Sequence, residues 1–204
     1  MIDIEQVLKT YVQEKGDINE HLLYLQEISK SCESILECGV RTVVSSWAFL
    51  SGLVKNEKVK KILHSCDLER SDNINYLEKA CQEQNVIFTF HECSDLDLPF
   101  QTYDMIFIDT WHIYGHLKRE LNKFHKMALK YIIMHDTEVD RIHGETIRNG
   151  WDVRIQSLKS GIPILEILKG LQPAIDEFLE EHPEWKIKIH FTHNNGLTVL
   201  ERSS

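Results

Sequence analysis

Two short stretches set carboxylates and imidazoles side by side: Phe107 to His112 (FIDTWH) and Ile133 to Thr137 (IMHDT). Each closes an apolar run with an acid, Asp109 with His112 three residues on, and Asp136 directly after His135. Two carboxylates and an imidazole meeting in one polar mouth can hold a hard divalent cation, which binds substrate oxygens and lowers the pKa of a hydroxyl. Two helix caps with two surface histidines are the plainer alternative. Earlier in the chain Glu37-Cys38-Gly39 also closes an apolar run, and Ser45 and Ser46 follow it. Gly39 lets the backbone approach a ligand, and either serine can cap a helix whose first amides face that ligand. An ordinary capped strand-to-helix turn fits the same residues. About thirty residues later comes Asp67 (CDL), placed to accept hydrogen bonds from the two hydroxyls of a ribose, or simply to begin an exposed loop. Glu92 to Asp95 (ECSD), Ser94 among them, can reach an adenine edge. His21, His64, His116, His125, His143 and His182 lack matched partners and read as structural or exposed. Trp111, Trp151 and Trp185 suit either a pocket wall or the core.

These residues are useful only if the backbone gathers them. Five apolar runs of strand length recur, at Ser34 to Cys38, Lys61 to Cys66, Val86 to His91, Tyr103 to Ile108 and Lys130 to His135. They are nearly continuous rather than alternating, as strands covered on both faces are. Helical spacing fills the gaps at Ser45 to Val54, Asn73 to Gln84 and Tyr114 to Leu129, the last with Leu117, Leu121, Phe124 and Ala128 in one stripe. Strands alternating with helices predict a parallel sheet with right-handed crossovers, whose ligands bind beyond the carboxyl ends of the strands. The rhythm then changes. A polar stretch from Thr137 leads to a proline-started helix, Leu171 to Leu179, and to two further runs, Lys186 to Phe191 and Leu197 to Glu201. Asn195-Gly196 between them is a hairpin signal. The expected fold is therefore α/β: a mostly parallel, seven-stranded sheet ending in an antiparallel hairpin. Two more helices, Ile4 to Val12 and His21 to Ile28, precede it; they could cover the sheet, form a homodimer contact or gate a ligand.

With 204 residues the chain fits one domain, taken as 1–204, with N-terminal helices in 1–30 and a lid or substrate region at 137–170. A net charge of -9 and only one short basic cluster, Lys55 to Lys61, argue against a nucleic-acid partner. No apolar run is long enough for a membrane span. Five cysteines without a CxxC pair suit free thiols and a cytoplasmic setting.

The ordered set ILECGVRTVVSS, CDL, YDMIFIDTWH, YIIMHDT, GLQPAIDEFLEEHPEW and NNGLTVLER, spanning Ser34 to Arg202, resembles class I S-adenosylmethionine-dependent methyltransferases. Its likeness is to the subgroup of cephalosporin-hydroxylase-like and sugar O-methyltransferases. The resemblance implies a Rossmann-like methyltransferase sandwich, S-adenosylmethionine as cofactor, and O-methylation of a small-molecule or glycan hydroxyl. It places Glu37, Gly39 and Ser45 around the methionine and ribose, Asp67 on the ribose hydroxyls, Ser94 near the adenine, and Asp109 beside the cofactor. It implies a cation, magnesium or manganese, held by Asp109, His135 and Asp136, with His112 as general base or orienting group. Many relatives carry glycine where this chain has Val43, which leaves open a non-catalytic binding module. A nicotinamide-dependent Rossmann oxidoreductase shares the acid after the second strand but would call for GxGxxG, which is absent.

Overall fold

A computed structural model describes residues 1–203. Seven strands form one sheet: β1 (Ser34–Cys38), β2 (Ile62–Asp67), β3 (Ile87–Glu92), β4 (Tyr103–Ile108), β5 (Ala128–His135), β6 (Trp185–Phe191) and β7 (Leu197–Arg202). Their order is β3-β2-β1-β4-β5-β7-β6. The first five are parallel, and β7 enters antiparallel between β5 and β6. The turn joining β6 to β7 puts Asn194, Asn195 and Gly196 in the left-handed region at φ 46°, 67° and 93°, as the Asn-Gly signal predicts.

Alternation along these strands sorts side chains into two layers. Ile35, Leu63, Met105, Phe107 and Ile133 face one way, where α1 (Ile4–Gln13), α2 (Leu22–Ser29), α3 (Ser45–Lys55) and α4 (Ile74–Glu83) cover them. Leu36, Cys66, Ile106, Ile132 and Met134 face the other, against α5 (Tyr114–Phe124) and α9 (Gln172–Glu181). Ile4, Leu8, Leu22 and Leu25 belong to the first layer, so the N-terminal helices cover the sheet. Gly52 permits the tight crossing of α2 and α3, since a Cβ there would lie 2.5 Å from the Gln26 carbonyl oxygen.

Two boundaries differ from the sequence reading. The helix predicted to reach Leu129 stops at Phe124, because the Met127 carbonyl accepts from the Tyr103 N–H at 2.8 Å and starts the pairing of β5 with β4. Ser45 and Ser46 do not cap α3; Val44 holds the cap position without a side-chain bond, and both hydroxyls turn inward. Between β5 and α9 lie three short helices, α6 (Glu145–Arg148), α7 (Val153–Ser160) and α8 (Ile164–Ile167). None of the residues of α7 is buried, although Ile155 and Leu158 are apolar.

Candidate functional site at the carboxyl rim of the sheet

The chain turns away in opposite directions after β1 and β4, its two central neighbours, and this is where an open α/β sheet forms a crevice. Gly39 follows β1 with φ 85°, and a Cβ on it would sit 2.0 Å from the Asp109 carbonyl oxygen. No other residue fits there. The loop beyond is held by Asp67, whose Oδ2 accepts the N–H groups of Val40 (2.8 Å) and Arg41 (2.9 Å), while Oδ1 accepts that of Leu68 (2.7 Å). Val43 in the same loop has φ 67° and is buried. A branched side chain in that region is strained, by roughly 1–3 kcal/mol.

Glu37 lies beneath this loop, fully buried, opposite Ser65 in the β1–β2 register. Its carboxylate accepts the hydroxyls of Ser45 (2.6 Å), Ser46 (2.6 Å) and Ser65 (2.9 Å). Burial pushes the carboxyl up to about 7, the three hydroxyls pulling against it. Glu37 is thus sealed under the crevice and anchors the start of α3 to the sheet. Ser94 caps the 3-10 turn Asp95–Asp97 by accepting from Leu96 N–H at 3.3 Å.

The second group lies after β4 and β5. Asp109 Oδ1 accepts from His112 Nε2 at 3.1 Å and from His135 Nδ1 at 3.2 Å. The other nitrogen of His135 faces the Asp17 carbonyl at 3.0 Å. Burial opposes a charge on this ring, but Asp109 and Asp136 raise its pKa. His112 Nδ1 lies 2.9 Å from Asp136 Oδ2, 3.3 Å from Asp140 and 3.9 Å from Glu145. Burial disfavours a charged His112, yet Asp109, Asp136 and Asp140 outweigh it and hold its pKa well above the ordinary imidazole value. For Asp109 burial likewise opposes ionisation, and the two imidazoles hold its pKa far below the usual carboxylate range. Asp136 has φ 58°, a second strained position on this rim.

The 2.9 Å approach of Asp136 Oδ2 to His112 Nδ1 is off the line of a ring N–H and leaves Nδ1 without a hydrogen-bond partner; Asp136 Oδ1, 3.3 Å from His135 Nδ1, is likewise buried without one. Orphaned donor atoms on neighbouring strand ends are what a cation's ligands look like in its absence. One atom each from Asp109, His112 and Asp136 falls within 4.8 Å of the others. His112 thus falls with the two acids in a ligand-capable set, and His135 lies beside the same acids, its Nδ1 3.2 Å from Asp109 and 3.3 Å from Asp136. Both ring nitrogens of His135 are already engaged, Nδ1 with Asp109 and Nε2 with the Asp17 carbonyl, whereas His112 Nδ1 has no hydrogen-bond partner and, once deprotonated, offers a lone pair.

Asp140, Glu145, Arg148, Asp17 and Arg41 also belong to this neighbourhood and were not found from sequence. Asp140 is fully buried and forms two 2.8 Å bonds with Arg148 Nε and Nη2. Its spacing of four from Asp136, bridged by an N–H bond of 3.1 Å to the Asp136 carbonyl, was the available signal. Asp17 and Arg41 pair at 2.7 Å across the rim and are far apart in sequence, so no local pattern marks them. His21 and His116 have partners after all: His21 Nε2 lies 3.1 Å from the His193 and Asn194 carbonyls, and His116 faces Asp95 and Glu120. Trp185 belongs to the core.

This strand order, with a parallel half and an inserted antiparallel last strand, is the Rossmann-like class I methyltransferase fold. No family model matches the chain, and no curated protein is found similar to it in sequence. Among solved structures, it is similar to an O-methyltransferase from Bacillus cereus in complex with SAH (TM-score 0.56, 16% identity, covering 98% of this chain and 90% of that one). It is also similar to an SAH-bound methyltransferase from Podospora anserina (TM-score 0.57, 14% identity, 100% and 89%). The N-methyltransferase NodS from Bradyrhizobium japonicum is a third (TM-score 0.50, 12% identity, 91% and 94%). Among the described residues no helix is long and apolar enough to cross a membrane.

Proposed function

We propose that the protein transfers a methyl group from S-adenosylmethionine to an oxygen of a small molecule or sugar. The observation that carries this reading is the close packing of Gly39 on the Asp109 carbonyl where β1 and β4 end side by side, with Asp67 gathering the amides of the loop beyond Gly39. In such a crevice the backbone comes close to a ligand, and the carboxylates of Asp67 and Asp109 give the rim a negative potential suited to a sulfonium cation. Val40 to Ser45 would line the methionine and ribose, Asp67 would meet the ribose hydroxyls through its remaining lone pairs, and the loop at Ser94 would border the adenine. Glu37 acts from below by fixing the first turn of α3.

Methyl transfer is an in-line displacement at carbon, so the protein's task is to align acceptor and methyl and to exclude water. The acceptor hydroxyl must lose its proton as it attacks. Asp109, His112 and Asp136 are a mixed nitrogen and oxygen donor set that fits a divalent cation of the manganese or zinc type better than magnesium. Such an ion, when bound, would acidify the hydroxyl. His135 orients Asp109 by donating to its Oδ1, and Asp140 holds the far side of His112. The segment 137–170, pinned to the rim by the Glu145 N–H donating to the His112 carbonyl at 2.8 Å, would form the acceptor's wall.

Calorimetric titration with S-adenosylhomocysteine and, separately, with NADH tests the reading. Binding of the first and not of the second is expected. A folded sample that binds NADH, or that ignores S-adenosylhomocysteine at millimolar concentration, overturns it; the latter outcome would fit a fold kept only for binding a partner, as the strained Val43 loop would allow.

A further inference from the structure

A second cluster lies on the α5 side of the sheet and shares no residue with the donor set just described. Asp95 comes from the 3-10 turn after β3, and His116 and Glu120 from one face of α5, four residues apart. His116 Nε2 is 3.3 Å from Asp95 Oδ1 and 3.7 Å from Glu120 Oε1, both longer than an ordinary N–H to oxygen bond. Side-chain exposure is 7% for Asp95 and 1% for Glu120, and Asp95 Oδ2 and Glu120 Oε2 are buried without a hydrogen-bond partner. Two such carboxylates side by side, with no Lys or Arg paired to either, repel each other in a poorly hydrated place.

From this geometry we propose a binding site for a divalent transition-metal ion of the zinc type, with Asp95, His116 and Glu120 as its protein ligands. Ligand atoms bonded at about 2.1 Å around a tetrahedral ion lie about 3.4 Å apart, which the observed separations of 3.3 and 3.7 Å bracket. One imidazole with two carboxylates is a donor set zinc accepts, and water can complete it. Thr110 is already in place around the ligands: its hydroxyl donates to Glu120 Oε1 at 2.6 Å and fixes that carboxylate. An ion there ties the turn after β3 to α5.

The test uses zinc chloride alone. The full chain is titrated with Zn²⁺ and bound ions are counted by native mass spectrometry, in wild type, His116→Gln, Glu120→Gln and Asp136→Asn. One equivalent is expected to disappear in either α5 variant and to persist in Asp136→Asn, whether or not a second ion binds at Asp136. In parallel, imidazole ¹⁵N spectra of the wild-type protein should show the His116 Nε2 signal shift on adding zinc, a reading that requires no variant to fold. Zinc lost only in Asp136→Asn, no zinc bound at all, or an unmoved His116 signal at saturation overturns the proposal. Since cofactor binding is not measured, failure here leaves the methyltransferase reading standing, and the reverse also holds.

Discussion

At Val43 two effects of similar size oppose each other. Its left-handed φ costs roughly 1–3 kcal/mol, and its buried side chain returns about as much through packing. Alanine keeps the strain and loses the packing, whereas glycine loses both. Val43→Gly should therefore melt above Val43→Ala, by on the order of 1 kcal/mol, reversing the usual ranking of the two residues. Denaturant titration of the pair decides it, and the ordinary ranking would show that the loop relaxes out of that conformation. Glu37 makes a second residue-scale expectation. Its native pKa of about 7 lies above the ordinary 4.5, so the folded state binds this proton more tightly than the unfolded one. Stability from this group is greatest below pH 4.5, falls as pH rises from 4.5 to 7, and is level above, a total on the order of 3 kcal/mol. Glu37→Gln should flatten that decline between pH 5 and pH 8 relative to wild type. An unchanged difference between the two pH values would mean that the serines leave Glu37 ionised throughout.

Among the loops, Asp67 and Asp109 divide the work. Asp67→Ala leaves the N–H groups of Val40, Arg41 and Leu68 without their acceptor, so the loop after β1 should open and affinity for S-adenosylhomocysteine fall by about tenfold or more. Asp109→Asn keeps the backbone that touches Gly39 but weakens the hold on His112 and His135; it should bind the same ligand nearly as wild type and lose turnover. Equal loss of affinity in both variants would contradict this division. The strand ends themselves were legible in the sequence, because strands buried on both faces write continuous apolar runs and the polar residue closing each run stands at the rim. Asp109, His112, His135 and Asp136 were found in that way. What the second nitrogen of His135 meets was not legible, since it is the carbonyl of Asp17, 118 positions away. Ser45 and Ser46 were misread for a related reason: a hydroxyl before a helix looks like a cap until a buried carboxylate from another strand claims it.

Across the molecule, the parallel half of the sheet followed from the alternation of runs, the closing hairpin from the Asn-Gly turn and the two-layer core from the helical stripes, whereas the strand order came only from the structure. What one-dimensional patterning could not supply is the strap over the rim. Residues 14–21 cross the end of β5 and are fastened to the β6–β7 turn, where Asn194 accepts from Glu20 N–H at 3.0 Å and donates to the Gly16 carbonyl at 2.8 Å. Asn194→Ala should therefore raise hydrogen exchange in residues 14–21 selectively, with global stability changed by about 1 kcal/mol or less. Exchange that rises evenly through the sheet would show that the turn, not the strap, had been damaged.

The late entry of β7 has a bearing on how the chain assembles. Until residues near 202 have been synthesised, β5 offers an open outer edge and the strap has nothing to fasten to, so residues 14–21 wait on Asn194, made 174 residues after the Glu20 it holds. Nascent protein arrested before that point would carry a nearly complete parallel sheet with one sticky border, and chaperone capture or self-association should concentrate in that interval of translation.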